Sequence, residues 1–328
     1  MIYIETKSVK PYVNLAYEEY FLKKSTCNEP VFMLWRNEPT VVVGRFQNTY
    51  NEVNHKFADE NGINVIRRIT GGGAVYHDLG TLCYTFIARN LSMEKISFST
   101  FALPMLDALA VFGVKGNLSG RNDLTIDGAK FSGTAMSLHK DSLLFHGTIL
   151  YDTNLSVLSK VLNVRADKLE SKGIKSVKSR VTNILPYLKE DNGVEVFKET
   201  LKKAVYKSTP FDEYTPDLDD IKEIKKLSQK KYGTLDWTYG KNPKAKFHNR
   251  KKFSGGELEI YLDLDASKIK SCKIYGDFLG IKDIETVEKM MEGTYYERKS
   301  VSEKINRINM AEHFGTIKKE EFLECLFE

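Results

Sequence analysis

Arg67-Arg68-Ile69-Thr70-Gly71-Gly72-Gly73-Ala74-Val75-Tyr76-His77-Asp78 is the stretch from which the rest of the chain can be read. It follows a short β-type run, Asn64-Val65-Ile66. Glycine has no Cβ, so a run of three takes positive φ at little cost and lets backbone N–H groups approach a ligand. Successive N–H groups in such a turn form an anion-binding nest. The preceding arginines suit planar, bidentate recognition of carboxylate or phosphate. Thr70 adds a hydroxyl, and His77 and Asp78 add titratable groups. The combination points to an acid and a phosphate held side by side. It is neither a P-loop, lacking the spacing and the Lys-Ser/Thr, nor a Gly-x-Gly-x-x-Gly fingerprint.

Outward from this loop, 328 residues predict one large and one small domain. With 41% hydrophobic and 28% charged residues the composition is that of a soluble globular protein. The first residues, Met-Ile-Tyr-Ile-Glu-Thr-Lys, lack the basic start and apolar run of a secretory signal. No apolar run approaches the ~20 residues that span a bilayer, so a cytoplasmic protein without membrane attachment is expected. A net charge of +5 spread along the chain gives no basic patch for nucleic acid. Cys27, Cys83, Cys272 and Cys325 are scattered without metal-ligand spacing and read as reduced thiols.

Residues 1–6 read as a strand and 14–24 as a helix opened near Pro11. Val31–Arg36 and Thr40–Gly44 read as strands joined by the turn Asn37-Glu38-Pro39. A helix around 51–60 precedes the glycine loop. Thr81–Ala88, β-branched and aromatic, reads as a buried strand that contains Cys83. Phe98–Phe112 is helical despite Pro104.

Asp127-Gly128 then marks a tight hairpin. A two-residue turn pairs Thr125 with Lys130 and Asp123 with Ser132, which puts these four polar residues on one face. Further helices are expected over 152–162, 195–207 and 218–231. The polar, basic run 244–252 reads as a linker between a large unit, 1–243, and a small α+β unit, 253–328.

The twelve-residue loop closely resembles the glycine-rich loop of lipoate–protein ligases. Other strings are similar to the same family: Glu38–Asn48, Gly120–Ala135 around Lys130, His146–Asp152, Lys172–Asn183 and Trp237–Pro243. The resemblance implies a mixed α/β (α+β) catalytic domain like that of biotin ligases and class II aminoacyl-tRNA synthetases, with a small accessory domain. It implies two half-reactions. Lipoate, with octanoate a second acid to consider, is activated by ATP and Mg²⁺ to an acyl-adenylate. The acyl group then passes to a lysine on a lipoyl-carrier domain of a 2-oxoacid dehydrogenase or on the glycine cleavage H protein.

On the same resemblance Lys130 is the catalytic lysine. Trp35, Arg68, Thr70, Gly71, Gly72, Gly73, His77, Cys83, Lys130 and His146 would hold lipoate. Arg68, Gly73, Ala74, Val75, Tyr76, Asn122, Asp123 and Lys130 would hold ATP, with Asp123 also a Mg²⁺ ligand. The rival reading is an ATP-independent octanoyl or lipoyl transferase working through a cysteine thioester. A biotin ligase is disfavoured, because its Gly-Arg-Gly-Arg-x-Gly motif is absent.

Overall fold

The computed structural model describes residues 1–328 apart from 25, 91–96, 121, 164–180, 240–246, 266–267, 297 and 328. The large unit is built on a sheet of strands β1 (Ile2–Glu5), β2 (Val31–Trp35), β6 (Thr81–Ala88), β7 (Asn117–Ser119), β8 (Asp123–Ile126), β9 (Ala129–His139), β10 (Ser142–Leu150) and β11 (Asp212–Glu213). Their spatial order is β11-β1-β2-β6-β10-β9-β8-β7. A second, smaller sheet has the order β4-β3-β5, formed by β3 (Thr40–Val43), β4 (Asn64–Arg67) and β5 (Val75–His77). The architecture is thus mixed α/β, as expected.

Period-2 alternation explains why the large sheet is covered on both faces. Phe32, Leu34, Leu82, Tyr84, Phe131, Phe145 and Ile149 point into one core. This core is closed by helices α2 (Phe98–Ala110) and α3 (Gly193–Ser208). Val31, Met33, Trp35, Cys83, Ile87 and Leu144 point to the opposite face, against helix α1 (Pro11–Lys23). That second face carries the functional site. Buried in α1 are Leu15, Ala16, Tyr17, Phe21 and Leu22, and with them Asn14, Glu18 and Glu19.

Four sequence expectations are corrected. The strands on either side of Asn37-Glu38-Pro39 do not share a sheet: β2 lies in the large one, while β3 pairs with β4 and β5. The chain changes sheet at Asn37, which is fully buried and receives a hydrogen bond from Asn14 Nδ2 at 2.9 Å. The helix expected over 51–60 is two, Thr49–Glu52 and His55–Glu60, broken where Asn54 Oδ1 accepts from Phe57 N to start the second.

The hairpin carries a bulge: Thr125 faces Lys130 as expected, but Leu124 faces Ser132 and Asp123 faces Gly133. Ser132 therefore turns inward and is 1% exposed, off the face that holds Lys130.

The run read as a linker is largely a strand, β12 (Phe247–Phe253), beside β13 (Gly256–Asp265) and β14 (Lys268–Gly276). Its basic residues are not solvating a tether. They meet acids of the same unit: Arg250 pairs with Glu257 at 2.5 Å and Lys251 with Glu324 at 3.2 Å, and His248 Nε2 lies 2.8 Å from Glu259.

Helices Glu285–Met291, Arg298–Ile305 and Lys319–Phe327 pack on this small sheet. The loop after β14 reaches back to the large unit. Phe278 stacks on Phe46 with centroids 4.9 Å apart, and its carbonyl accepts from Gly72 N at 3.3 Å. Leu138 N donates to Ile281 O at 3.1 Å, and Arg45 pairs with Asp283 at 2.9 Å. No helix among the described residues is long and apolar enough to cross a membrane.

Candidate active site

The register of the large sheet lines up a row of residues on the α1 face. Trp35 sits opposite Cys83, Cys83 opposite Thr148, and Asp123 opposite Gly133. Gly133 N donates to Thr148 Oγ1 at 3.4 Å, which joins the two halves of the row. Neighbouring strands are spaced by roughly 5 Å, so Cys83 and Gly133 stand about 10 Å apart. Lys130 folds over Gly133: a Cβ placed on that glycine would lie 2.8 Å from Lys130 Nζ. The ammonium also pairs with Asp123 Oδ1 at 2.7 Å.

A cavity of about 590 Å³, its mouth included, follows this row. Leu15, Trp35, Val42 and Cys83 line it as apolar wall, while Lys130, Asn122, Gly73 and Thr134 contribute polar groups. Arg68, Gly72, Ala74, Val75, His77 and His146 complete the expected residues found at the cavity wall.

Others play supporting parts. Thr70 is fully buried behind the wall. Gly71 is pressed against the small unit, where an added Cβ would meet Phe278 O at 2.6 Å. Tyr76 points the other way, into the core of the small sheet, and burial together with Asp78 pushes its hydroxyl up to about 12. Of the basic run Lys172–Asn183, residues through 180 lie outside the described residues. Its end runs along the lysine strand, with Thr182 N donating to Lys130 O at 2.8 Å.

The arginines preceding the loop organise it from within. Arg68 Nε donates to Thr70 Oγ1 at 2.9 Å and Nη1 to Val42 O at 3.0 Å. Its Nη2 donates to Gly71 O and Gly73 O at 2.7 and 2.9 Å. Arg67 donates to the carbonyls of Gly44, Gln47 and Thr238. The latter contact, with Trp237 Nε1 donating back to Arg67 O, explains the Trp237-Thr238 string. Burial lowers both guanidiniums to about 10, still protonated at neutral pH. Two cations are thus fixed under the loop among carbonyl acceptors, with Glu18 the acid whose charge acts on Arg68, and an anion above the loop is attracted by both.

Of the three glycines only Gly72 takes positive φ, at 91°. Gly73 lies in open space with an ordinary backbone. Gly72→Val is therefore expected to weaken lipoate binding at least tenfold, through the strain of a β-branched residue at that φ. Gly73→Ala should stay within about threefold, having no such strain. Titration calorimetry on the two variants checks this, and equal effects would remove the distinction.

Sequence reasoning passed over Glu18. It is fully buried, accepts from Thr85 Oγ1 at 2.5 Å and faces His146 Nδ1 at 2.9 Å. His146 Nε2 meets Thr70 Oγ1 at 2.8 Å, and Trp35 Nε1 donates to Thr85 Oγ1 at 2.9 Å. Two donor chains, from Arg68 and from Trp35, therefore end on one buried carboxylate. Such a network holds the cavity wall in one geometry. The available signal was a pair of adjacent acids, Glu18-Glu19, inside an otherwise apolar helix, which demands buried partners.

His77 is 3% exposed, and burial, reinforced by the Arg68 cation, lowers its imidazole to about 3. The ring is thus neutral at physiological pH. Cys83 Sγ lies 3.6 Å from His77 Nδ1, and burial pushes the thiol well above its ordinary range. Among the described residues no three His, Cys, Asp or Glu side chains gather as a metal site.

Two family models match: the lipoyl protein ligase A/B catalytic domain over residues 10–206, and the bacterial lipoate protein ligase C-terminus over residues 242–326. The lipoate-protein ligase LplJ of Bacillus subtilis is 37% identical over 331 aligned positions, covering 100% of both chains. Lipoate–protein ligase 1 of Staphylococcus aureus is 38% identical, with 96% of each chain covered. Among solved structures, P. falciparum LipL1 in complex with lipoate superposes with a TM-score of 0.82 at 27% identity, covering 98% of this chain and 97% of that one. A lipoate-protein ligase A bound with ATP has a TM-score of 0.62 at 26% identity over 73% of this chain and 97% of its own. With both units matched and full-length relatives at this identity, the chain belongs to the lipoate–protein ligase family of enzymes.

Proposed function

We propose that this enzyme activates lipoate with ATP to lipoyl-AMP and pyrophosphate, then transfers the lipoyl group to a lysine amine of a lipoyl-carrier domain in the cytoplasm. The carriers are 2-oxoacid dehydrogenase subunits and the glycine cleavage H protein. Residues 1–243 form the catalytic unit, and the accessory unit takes in β12 as well as 253–328, so that it starts by Phe247. The observation that carries the reading is the row from Trp35 to Asp123. It sets an apolar wall about 10 Å from a lysine ammonium, a span that suits an eight-carbon acid with its carboxylate at Lys130.

In the first step a lipoate carboxylate oxygen bonds to the α-phosphorus as the bond to pyrophosphate breaks. Lys130 Nζ, with the N–H groups of the loop from Gly73 to Val75, lies where negative charge grows on the phosphate and carbonyl oxygens. In the second step the acceptor amine bonds to the acyl carbon, AMP leaves with the bonding pair, and the amine gives up a proton. Lys130 again faces the carbonyl oxygen. Asn122 ties β8 to β9 by donating from Nδ2 to Thr134 O at 2.5 Å, which holds that edge of the site in place.

Mg²⁺ on a nucleotide takes one or two carboxylates, with phosphates and waters supplying the rest. A half-exposed Asp123 beside Lys130 fits such a single-carboxylate ligand. Bound there, the ion would neutralise phosphate charge.

The thioester alternative is disfavoured by placement and by protonation. Cys83 stands two strands away from Gly133 and Lys130, at the apolar part of the cavity, and both it and its neighbour His77 are held uncharged by burial. The test is ATP–pyrophosphate exchange with lipoate, octanoate or biotin, followed by transfer to a carrier domain. A variant with all four cysteines changed to Ala or Ser is expected to keep ATP-dependent lipoylation, apart from packing loss at Cys83. An essential cysteine, together with carrier-to-carrier acyl transfer without ATP, would overturn the ligase mechanism.

A further inference from the structure

His77 holds a donor that the fold leaves unanswered, and its tautomer can be traced. Asn14 Nδ2 faces the carbonyls of Ser8 and Arg36 at 3.0 and 2.9 Å, so that atom is a nitrogen. Asn37 Oδ1 lies 2.9 Å from the same nitrogen, whose two N–H groups the three acceptors share, and this leaves the Asn37 amide nitrogen directed at His77 Nδ1, 3.1 Å away. Nδ1 must then be the acceptor, and the ring proton sits on Nε2. Cys83 Sγ lies 3.6 Å from the same ring nitrogen. Nε2 is buried and has no partner among the described residues. The ring lines the cavity beside Cys83 and edge-on to Trp35, centroids 6.3 Å apart.

Resting on the ligase reading, we infer that His77 Nε2–H donates a hydrogen bond to a dithiolane sulfur, and that this contact selects lipoate over octanoate. The row of the sheet gives the register. With the carboxylate at Lys130, the far end of an eight-carbon chain lies about two strand spacings away, over Cys83 and under His77. Lipoate carries its two sulfurs at that end. Octanoate carries only methylene and methyl groups, which leave the buried donor unpaired. A site with a buried polar group rejects the analogue that cannot satisfy it. Sulfur is a weak acceptor, so the discrimination is moderate. The Asn14–Asn37 pair acts as positioning residues, fixing which ring nitrogen carries the proton.

The test compares full-length wild type, His77→Leu and His77→Gln in ATP–pyrophosphate exchange with lipoate and with octanoate. The glutamine variant retains a side-chain N–H donor. Wild type is expected to favour lipoate. His77→Leu should lower that preference roughly five- to tenfold, the value of one modest buried hydrogen bond. The change should appear in KM, higher for lipoate and lower for octanoate, which no longer strands a buried donor, with kcat moving less. His77→Gln should restore most of the preference.

A second readout needs no variant of uncertain folding. In ¹⁵N-histidine-labelled wild type the His77 ring should show the neutral Nε2–H tautomer, with its proton moved by lipoate and not by octanoate. Equal losses for both acids, an unchanged preference in His77→Leu, an Nδ1–H tautomer, or the same spectral response to both acids would each overturn the inference. Wild type that activates neither acid would overturn the ligase reading itself and the inference with it, an outcome distinct from all of these.

Discussion

Replacing Lys130 with alanine is expected to abolish lipoyl-adenylate formation while the protein stays folded. Its ammonium is the cation that the fold brings over Gly133, at the end of the row that begins at Trp35. Removing a preorganised charge that faces growing negative charge costs about 10²–10³-fold in turnover, and more where no neighbour can substitute. Because the contact strengthens as the reaction proceeds, kcat should fall far more than lipoate affinity. Stability should hardly change. The side chain is 32% exposed and its ion pair with Asp123 is open to solvent, where such pairs contribute little. Pyrophosphate exchange measures the first step, and reaction of chemically prepared lipoyl-AMP with a carrier domain measures the second. Near-normal exchange by a folded Lys130→Ala enzyme would remove Lys130 from the chemistry.

The site was legible where its chemistry is local. The glycine loop, its two arginines and the Asp127-Gly128 turn declare themselves in consecutive residues, and the resemblance they carry led to the fold class and family. The same local signals could not say which glycine bears the unusual φ. They also gave no hint that the hairpin bulges and turns Ser132 inward, since no residue type in 123–133 marks the extra residue.

What depends on distant partners was out of reach. Glu18 meets His146 across 128 positions of sequence, and Asn37 meets His77 across 40. Each looks like an ordinary polar residue until the sheet brings its partner close. The basic strand 247–253 misread as a linker for a related reason: charges are solvated in a tether and paired on an edge strand, and composition alone does not separate the two.

Replacing Arg68 with methionine is expected to damage stability and lipoate binding together, and this coupling separates two roles that the sequence alone makes equivalent. An arginine beside a glycine loop reads as a group that grips the ligand's acid. In the structure its donors are occupied by Thr70, Val42, Gly71 and Gly73, so its main task is to hold the loop closed from beneath. Methionine fills the length but leaves the buried carbonyls of Val42 and Gly71, and the half-buried one of Gly73, without that donor, the buried two each worth roughly 1–3 kcal/mol. Part is recovered because a buried guanidinium no longer has to be desolvated. A net loss on the order of 3–4 kcal/mol is expected, read from urea denaturation. Lipoate affinity should fall more than tenfold, both from the disordered loop and from the lost field of a cation. Lysine should not rescue, because a single ammonium cannot reach acceptors spread over a planar fork. A variant that loses lipoate affinity while keeping wild-type stability would instead make Arg68 a direct ligand of the substrate, and the loop would then owe its shape to Arg67 and Gly72.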